Sequence, residues 1–102
     1  MSIIGTFVKS DSGYTGNVKT VNLNFKVRLS PIENPSKDGP QFRAYSGPAE
    51  IGAGWARTAE NSREYISLKL DDPSFVAPIY ASLFASDDGE TYNLLWTRPQ
   101  AK

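Results

Sequence analysis

Apolar and polar residues alternate with a period of two along several stretches of this chain, the spacing of a strand with one buried face. Residues 22–30 are the clearest case: Leu23, Phe25, Val27 and Leu29 fall on one side and only polar residues on the other. Pro31 follows and, lacking an N–H for a ladder, is placed to end the strand. Residues 65–70 repeat the pattern with Ile66, Leu68 and Leu70 inward, and residues 92–97 repeat it with Tyr92, Leu94 and Trp96 on one side. Residues 3–8 and 79–84 are short apolar runs that predict strands covered on both faces. Less regular candidates are residues 14–19, 42–46 and 50–57.

The punctuation between these runs agrees. Ser12-Gly13, Asp88-Gly89 and Ser46-Gly47-Pro48 are turn signals, the first two of hairpin type. Residues 32–40 combine prolines, a glycine and charged side chains and predict the longest exposed loop. Residues 56–65 have some helical propensity but no apolar stripe, and Asn61-Ser62 reads as a turn. Short strands about ten residues apart, some seven or eight in number, predict an all-β, antiparallel barrel or small sandwich with little or no helix. One domain spanning residues 1–102 is expected, with residues 99–102 as a frayed tail; no internal repeat is visible.

Composition narrows the chemistry. The chain has neither cysteine nor histidine. That excludes disulfides, thiolate nucleophiles, imidazole acid/base pairs and His- or Cys-based metal centres, and it suits a cytoplasmic protein. No apolar run approaches a membrane span and residues 1–5 lack a signal-peptide pattern, so no membrane partner is expected. No cofactor motif and no catalytic constellation is present. Eleven basic residues balance eleven acidic ones, against the basic excess usual in non-specific nucleic-acid binders. The balance is uneven along the chain. Residues 1–46 carry six basic and three acidic side chains, residues 47–102 five and eight. Such charges either segregate into poles or interleave when strands pair.

Several segments, in this order, are familiar together: Ile4-Gly5-Thr6-Phe7, Gly13-Tyr14-Thr15-Gly16, Pro40-Gln41-Phe42-Arg43, Glu50-Ile51-Gly52-Ala53-Gly54-Trp55, Tyr65 through Phe75, Pro78-Ile79-Tyr80, and Leu95-Trp96-Thr97-Arg98-Pro99. The set resembles the bacterial family called domain of unknown function 736, most specifically through Leu70-Asp71-Asp72-Pro73-Ser74-Phe75. The resemblance implies a small bacterial protein often encoded on plasmids or integrative elements. The family has no agreed catalytic residues, so none carries over. One departure is visible, since an aspartate is expected where this chain has Gln41.

Two surfaces stand out as candidates. The outward face of the best strand offers Asn22, Asn24, Lys26 and Arg28, with Lys19 and Arg43 on flanking segments. Cations there track phosphate while nearby rings stack on bases, as in single-strand binding, although solvated strand faces commonly look the same. The second surface is Gly52 and Gly54 with Tyr65 and Lys69, and Tyr14, Tyr45 and Tyr80 are further rings for the exterior. The glycines either open a flat patch to a ligand or make room for a large neighbour or a barrel bend while Ile51, Ala53 and Trp55 face the core. Asp71-Asp72 invites a metal reading, yet an Asx-type turn ahead of Pro73 accounts for it with no metal.

Three functions follow from different features. A protein-interaction or regulatory module of a mobile element, acting on a host or defence protein, suits the neutral charge and missing catalytic groups. A single-stranded nucleic-acid binder suits the Asn22–Arg28 face. A carboxylate enzyme using Asp71, Asp72 or Glu50 requires a concave pocket. An open sheet edge also permits a homodimer through strand pairing.

Overall fold

Each alternating run has one apolar face to bury and two rows of backbone groups to pair, and closing the sheet on itself satisfies both demands. A computed structural model describes residues 2–10, 13–21, 23–33, 37 and 39–96 and shows that closure. The strands are β1 (Ser2–Ser10), β2 (Gly13–Lys19), β3 (Asn24–Pro31), β4 (Phe42–Ser46), β5 (Ala49–Thr58), β6 (Glu64–Leu70), β7 (Ile79–Ala85) and β8 (Thr91–Trp96). Consecutive strands pair antiparallel, and β8 returns to pair with β1. Every expected strand is present, and the barrel, not the sandwich, is the architecture formed. The described strands leave no free sheet edge, so dimerisation by edge pairing is removed as a route.

The core is the inward row of each strand. Phe7, Val18, Leu29, Ala44, Leu70 and Leu94 have no accessible surface. The two apolar runs expected to be covered on both faces are covered on one: Ile3 is 61% exposed, Val8 49% and Tyr80 54%. A barrel has nothing packed outside it, so their outer rows meet solvent. Turn chemistry sets the hairpins. Gly47, at φ +59°, and Pro48 join β4 to β5 as in a type II′ turn, while Gly89, at φ +74°, closes the β7–β8 turn. Ser62 also takes positive φ, in the β5–β6 turn foreseen at Asn61-Ser62. The predicted turn at Ser12 and the tail from residue 99 lie outside the described residues.

Two bulges shape the barrel. Between β1 and β8, Ile3 pairs with Leu95 and Gly5 with Leu94, which leaves Ile4 as an extra residue. Between β4 and β5, Glu50 pairs with Tyr45 and Gly52 with Ala44, which leaves Ile51 extra. Both isoleucines turn inward and are buried. Glycine follows each because a Cβ there would overlap backbone, the Asn17 carbonyl at Gly5 and the Lys69 carbonyl at Gly52.

The bulges are one feature met twice. Gly5 pairs with Val18, Val18 with Phe25, Leu29 with Ala44, and bulged Ile4 precedes the Gly5–Leu94 pair. Four strands on, Gly52 pairs with Leu70, Leu70 with Ile79, Leu83 with Leu94, and bulged Ile51 precedes the Gly52–Ala44 pair. The register of β1–β4 therefore recurs in β5–β8, a repeat of pairing with no visible repeat of sequence. Equivalent inward positions hold Phe7 and Gly54, Lys9 and Ala56, Tyr14 and Ile66.

The up-and-down path puts the β1–β2, β3–β4, β5–β6 and β7–β8 connections at one end, here the upper end. The lower end is covered by the β6–β7 connection, where the Phe75 ring packs on Phe25 at 5.5 Å.

Candidate nucleic-acid interface on the barrel wall

Strand pairing assembles the first predicted face. Lys19 lies opposite Asn24, Asn17 opposite Lys26, Thr15 opposite Arg28, Arg28 opposite Tyr45, and Ser30 opposite Arg43. All point outward, alternating with buried Val18, Val27 and Leu29. The Arg28 guanidinium sits over the Tyr45 ring at 4.9 Å, while Arg43 is tied to Glu50 at 3.2 Å. Lys19, Asn24, Lys26, Arg28 and Arg43 thus share one surface, and Asn22 lies outside the described residues.

The second predicted surface needs correction. Tyr65 and Lys69 point outward from β6, but Gly52 and Gly54 do not accompany them. Counting by twos from buried Ile51 puts Ala53 and Trp55 inside; the bulge shifts the count by one. Gly54 is buried, and a Cβ on it would lie 2.8 Å from Leu68 Cδ2 and 3.0 Å from Ile66 Cγ2. Trp55 is therefore on the outer wall, opposite Ser67, with Arg57 opposite Tyr65. Tyr14 is corrected the other way. It turns into the barrel, its ring edge-on to Phe42 and Tyr92.

What the sequence reading missed is the ring cluster that results. Tyr65 stacks on Phe84 at 4.9 Å and 18°, and the Arg63 guanidinium covers Phe84 at 5.0 Å. Arg63 is held there by donating to the Ala85 carbonyl. Two outward positions down the wall, Lys69 approaches the Tyr80 ring at 5.9 Å. Between the ring pairs, Ser67 faces Ser82, so the floor is shallow and Trp55 stands at its side. The signal for this cluster was the outward row Tyr80-Ser82-Phe84, hidden while residues 79–84 read as buried on both sides.

Charge is divided by position on the barrel, not by half of the sequence. Lys19, Lys26, Arg28, Arg43, Arg57 and Lys69 occupy the wall, whereas Glu60, Asp71, Asp72, Asp87, Asp88 and Glu90 occupy the connections at the ends; Glu50 and Glu64 are the strand acids among the described residues. Those acids partly serve their turns. Asp88 accepts from the backbone N–H groups of Thr91 and Glu90 and from Ser86 Oγ, which holds its carboxyl well below the usual range. Asp72 Oδ2 accepts from Ser74 Oγ at 2.5 Å and from Ser74 N at 2.9 Å, which lowers its pKa. This is the Asx turn expected there. Among the described residues no three metal-ligating side chains gather. At the departing position, Gln41 Oε1 accepts from Ala56 N at 2.9 Å, so the side chain pins β5 beyond the end of β4.

The family model described as Protein of unknown function (DUF736) matches residues 3–99. The chain belongs to that family. No curated protein and no solved structure matches it. The match spans the strands of the DUF736 barrel, and the segment that most resembled the family, residues 70–75, is its lower lid: Asp72 shapes the turn that delivers Phe75 onto Phe25.

Proposed function

We propose that this DUF736 barrel binds single-stranded nucleic acid along its outer wall, with the rings of β5–β7 as the stacking platform and the β2–β4 cations as backbone contacts. The observation that supports it is the outward row of β5–β7. There Trp55, Tyr65, Tyr80 and Phe84 interleave with Arg57, Lys69 and the overhanging Arg63, and no acid falls within residues 53–57, 65–69 or 80–84. Rings accept any base and cations track phosphate, a pairing that favours single strands over duplex. Zero net charge is no obstacle when most acids sit in the connections and the wall acid Glu50 is paired with Arg43. Such a protein suits a mobile element that passes through single-stranded intermediates.

A second reading has its own observation. Ile3 and Val8 are outward and exposed on β1, with Leu95 opposite Ile3, apolar side chains of the kind that dock another protein. On this reading the barrel is an interaction module for a host or mobile-element protein.

Anisotropy of a labelled oligo-dT separates the two. Binding should weaken steeply as salt rises, and Trp55→Ala and Tyr65→Ala should each cost about 1–3 kcal/mol of affinity. Binding unaffected by both substitutions, or absent at low salt, rejects the wall as a nucleic-acid site and leaves the apolar side chains of β1 as the functional surface.

A further inference from the structure

The upper end of the barrel is hollow, and the recurring register explains why. Phe7 fills the interior from β1, while its equivalent on β5 is Gly54; one step higher, Lys9 is matched by Ala56. With Thr58 and Ala85 also small, a cavity of about 530 Å³ is left on the β5–β7 side. Ala56, Thr58 and Ala85 are inward by register yet exposed, so the cavity is reached from the upper end. Its volume lies in the range of roughly 300–1,000 Å³ typical of small-molecule sites.

We infer that this mouth binds one planar heteroaromatic anion about the size of a nucleoside monophosphate, at a site that adjoins the wall through Arg57, Arg63 and Tyr65, which also line it. Tyr14 meets Phe42 at 5.8 Å and 73° and Tyr92 at 5.1 Å and 86°, so each ring is braced edge-on by the next. The wall they form is rigid before any ligand arrives, and a flat ring gains contact there at little ordering cost.

The polar groups select the rest of the ligand. Lys9 points inward beside Tyr14, and Glu64 points inward beside Thr58, with β7 and β8 between their strands. Neither has an ion-pair partner among the described residues. The Tyr14 phenol is held protonated by burial, by Tyr92 and by the Glu64 charge, and so remains a donor. A purely apolar guest would strip water from Lys9 and Glu64 and return nothing. A ring with N–H donors turned to Glu64 and an anionic group turned to Lys9 satisfies both.

The test is a titration of isotope-labelled protein with the ribonucleoside monophosphates, following the methyl signals of Ala56, Thr58 and Ala85. Indole-3-carboxylate serves as a second source of the same chemistry, with ribose 5-phosphate and free nucleosides as partial ligands. Saturable shifts at these methyls with a nucleotide or the indole acid, and none with ribose 5-phosphate, are expected. Lys9→Gln should weaken the response to nucleotide roughly tenfold and leave the response to free nucleoside unchanged. Ala85→Leu, which grows into the void, should abolish it while oligo-dT binding stays intact, so loss of the mouth and loss of the wall are read apart. The inference is overturned if no probe shifts the mouth methyls, if ribose 5-phosphate shifts them equally, or if the shifts survive both substitutions.

Discussion

The strands β1–β4 and β5–β8 share a pairing register and differ in the placement of most of their rings, although Phe42 and Tyr92 are inward at equivalent positions. The first half puts bulk inside, with Phe7, Tyr14 and Phe42, and cations outside, with Lys19, Lys26 and Arg28. The second half puts Gly54 and Ala56 inside and Trp55, Tyr65, Tyr80 and Phe84 outside. The register is therefore anchored by what the halves have in common, the Ile-Gly bulges and the central aliphatic layer. Side chains away from those anchors are free to diverge, and their divergence makes one cationic flank, one aromatic flank and one off-centre cavity.

The comparison breaks first at its most unequal pair. Phe7→Ala empties a filled site with no accessible surface and should cost about 3–5 kcal/mol in urea unfolding. At the equivalent place, Gly54→Ala presses on the methyl groups Leu68 Cδ2 and Ile66 Cγ2 and should cost about 1–3 kcal/mol. Equal losses would mean that the interior is not divided as described. The bulges supply a second expectation. Gly5→Ala and Gly52→Ala each drive a Cβ into a neighbouring carbonyl and should both destabilise, Gly52→Ala the more because its Cβ would come closer to backbone. A neutral substitution at either glycine would show that its bulge is not held as described.

The smallest effect is with acid. Asp72 and Asp88 both lie in second-half turns, and both are held below the ordinary value of 3.8. A depressed carboxylate contributes its stability in full above that value and loses it as pH falls below, because the unfolded chain takes up the proton first. Amide protection, relative to the intrinsic exchange rate at each pH, should therefore fall in β7–β8 before β2–β3 as pH drops below about 4, and Asp88→Asn should flatten that dependence.

The fold was legible because alternation and turn residues report locally. Asn24–Pro31 and Glu64–Leu70 could be placed from their periodicity alone, and Asp88-Gly89 named its own hairpin. Closure and pairing register are long-range properties and left no mark in any one segment. The candidate site was half legible. Lys26 and Arg28 sit on a strand without a bulge, so their face was correct, and their neighbours followed. Trp55 sits four residues after Ile51, where one extra residue inverts the face of everything beyond it. The same insertion is audible at Ile4 and Phe7, both buried though three apart, a spacing that unbroken alternation forbids.

The two bulged junctions have unlike histories in a folding chain. Gly47-Pro48 joins β4 to β5 as neighbours, whereas the β1–β8 seam, with Ser2 opposite Trp96, waits for partners almost a full chain apart. Because the register is indifferent to which junction is covalently continuous, a circular permutant that links the ends and opens between Gly47 and Pro48 retains every native pairing. In it the late seam becomes a local hairpin and the early hairpin becomes the late seam, so the order of assembly inverts around an unchanged barrel.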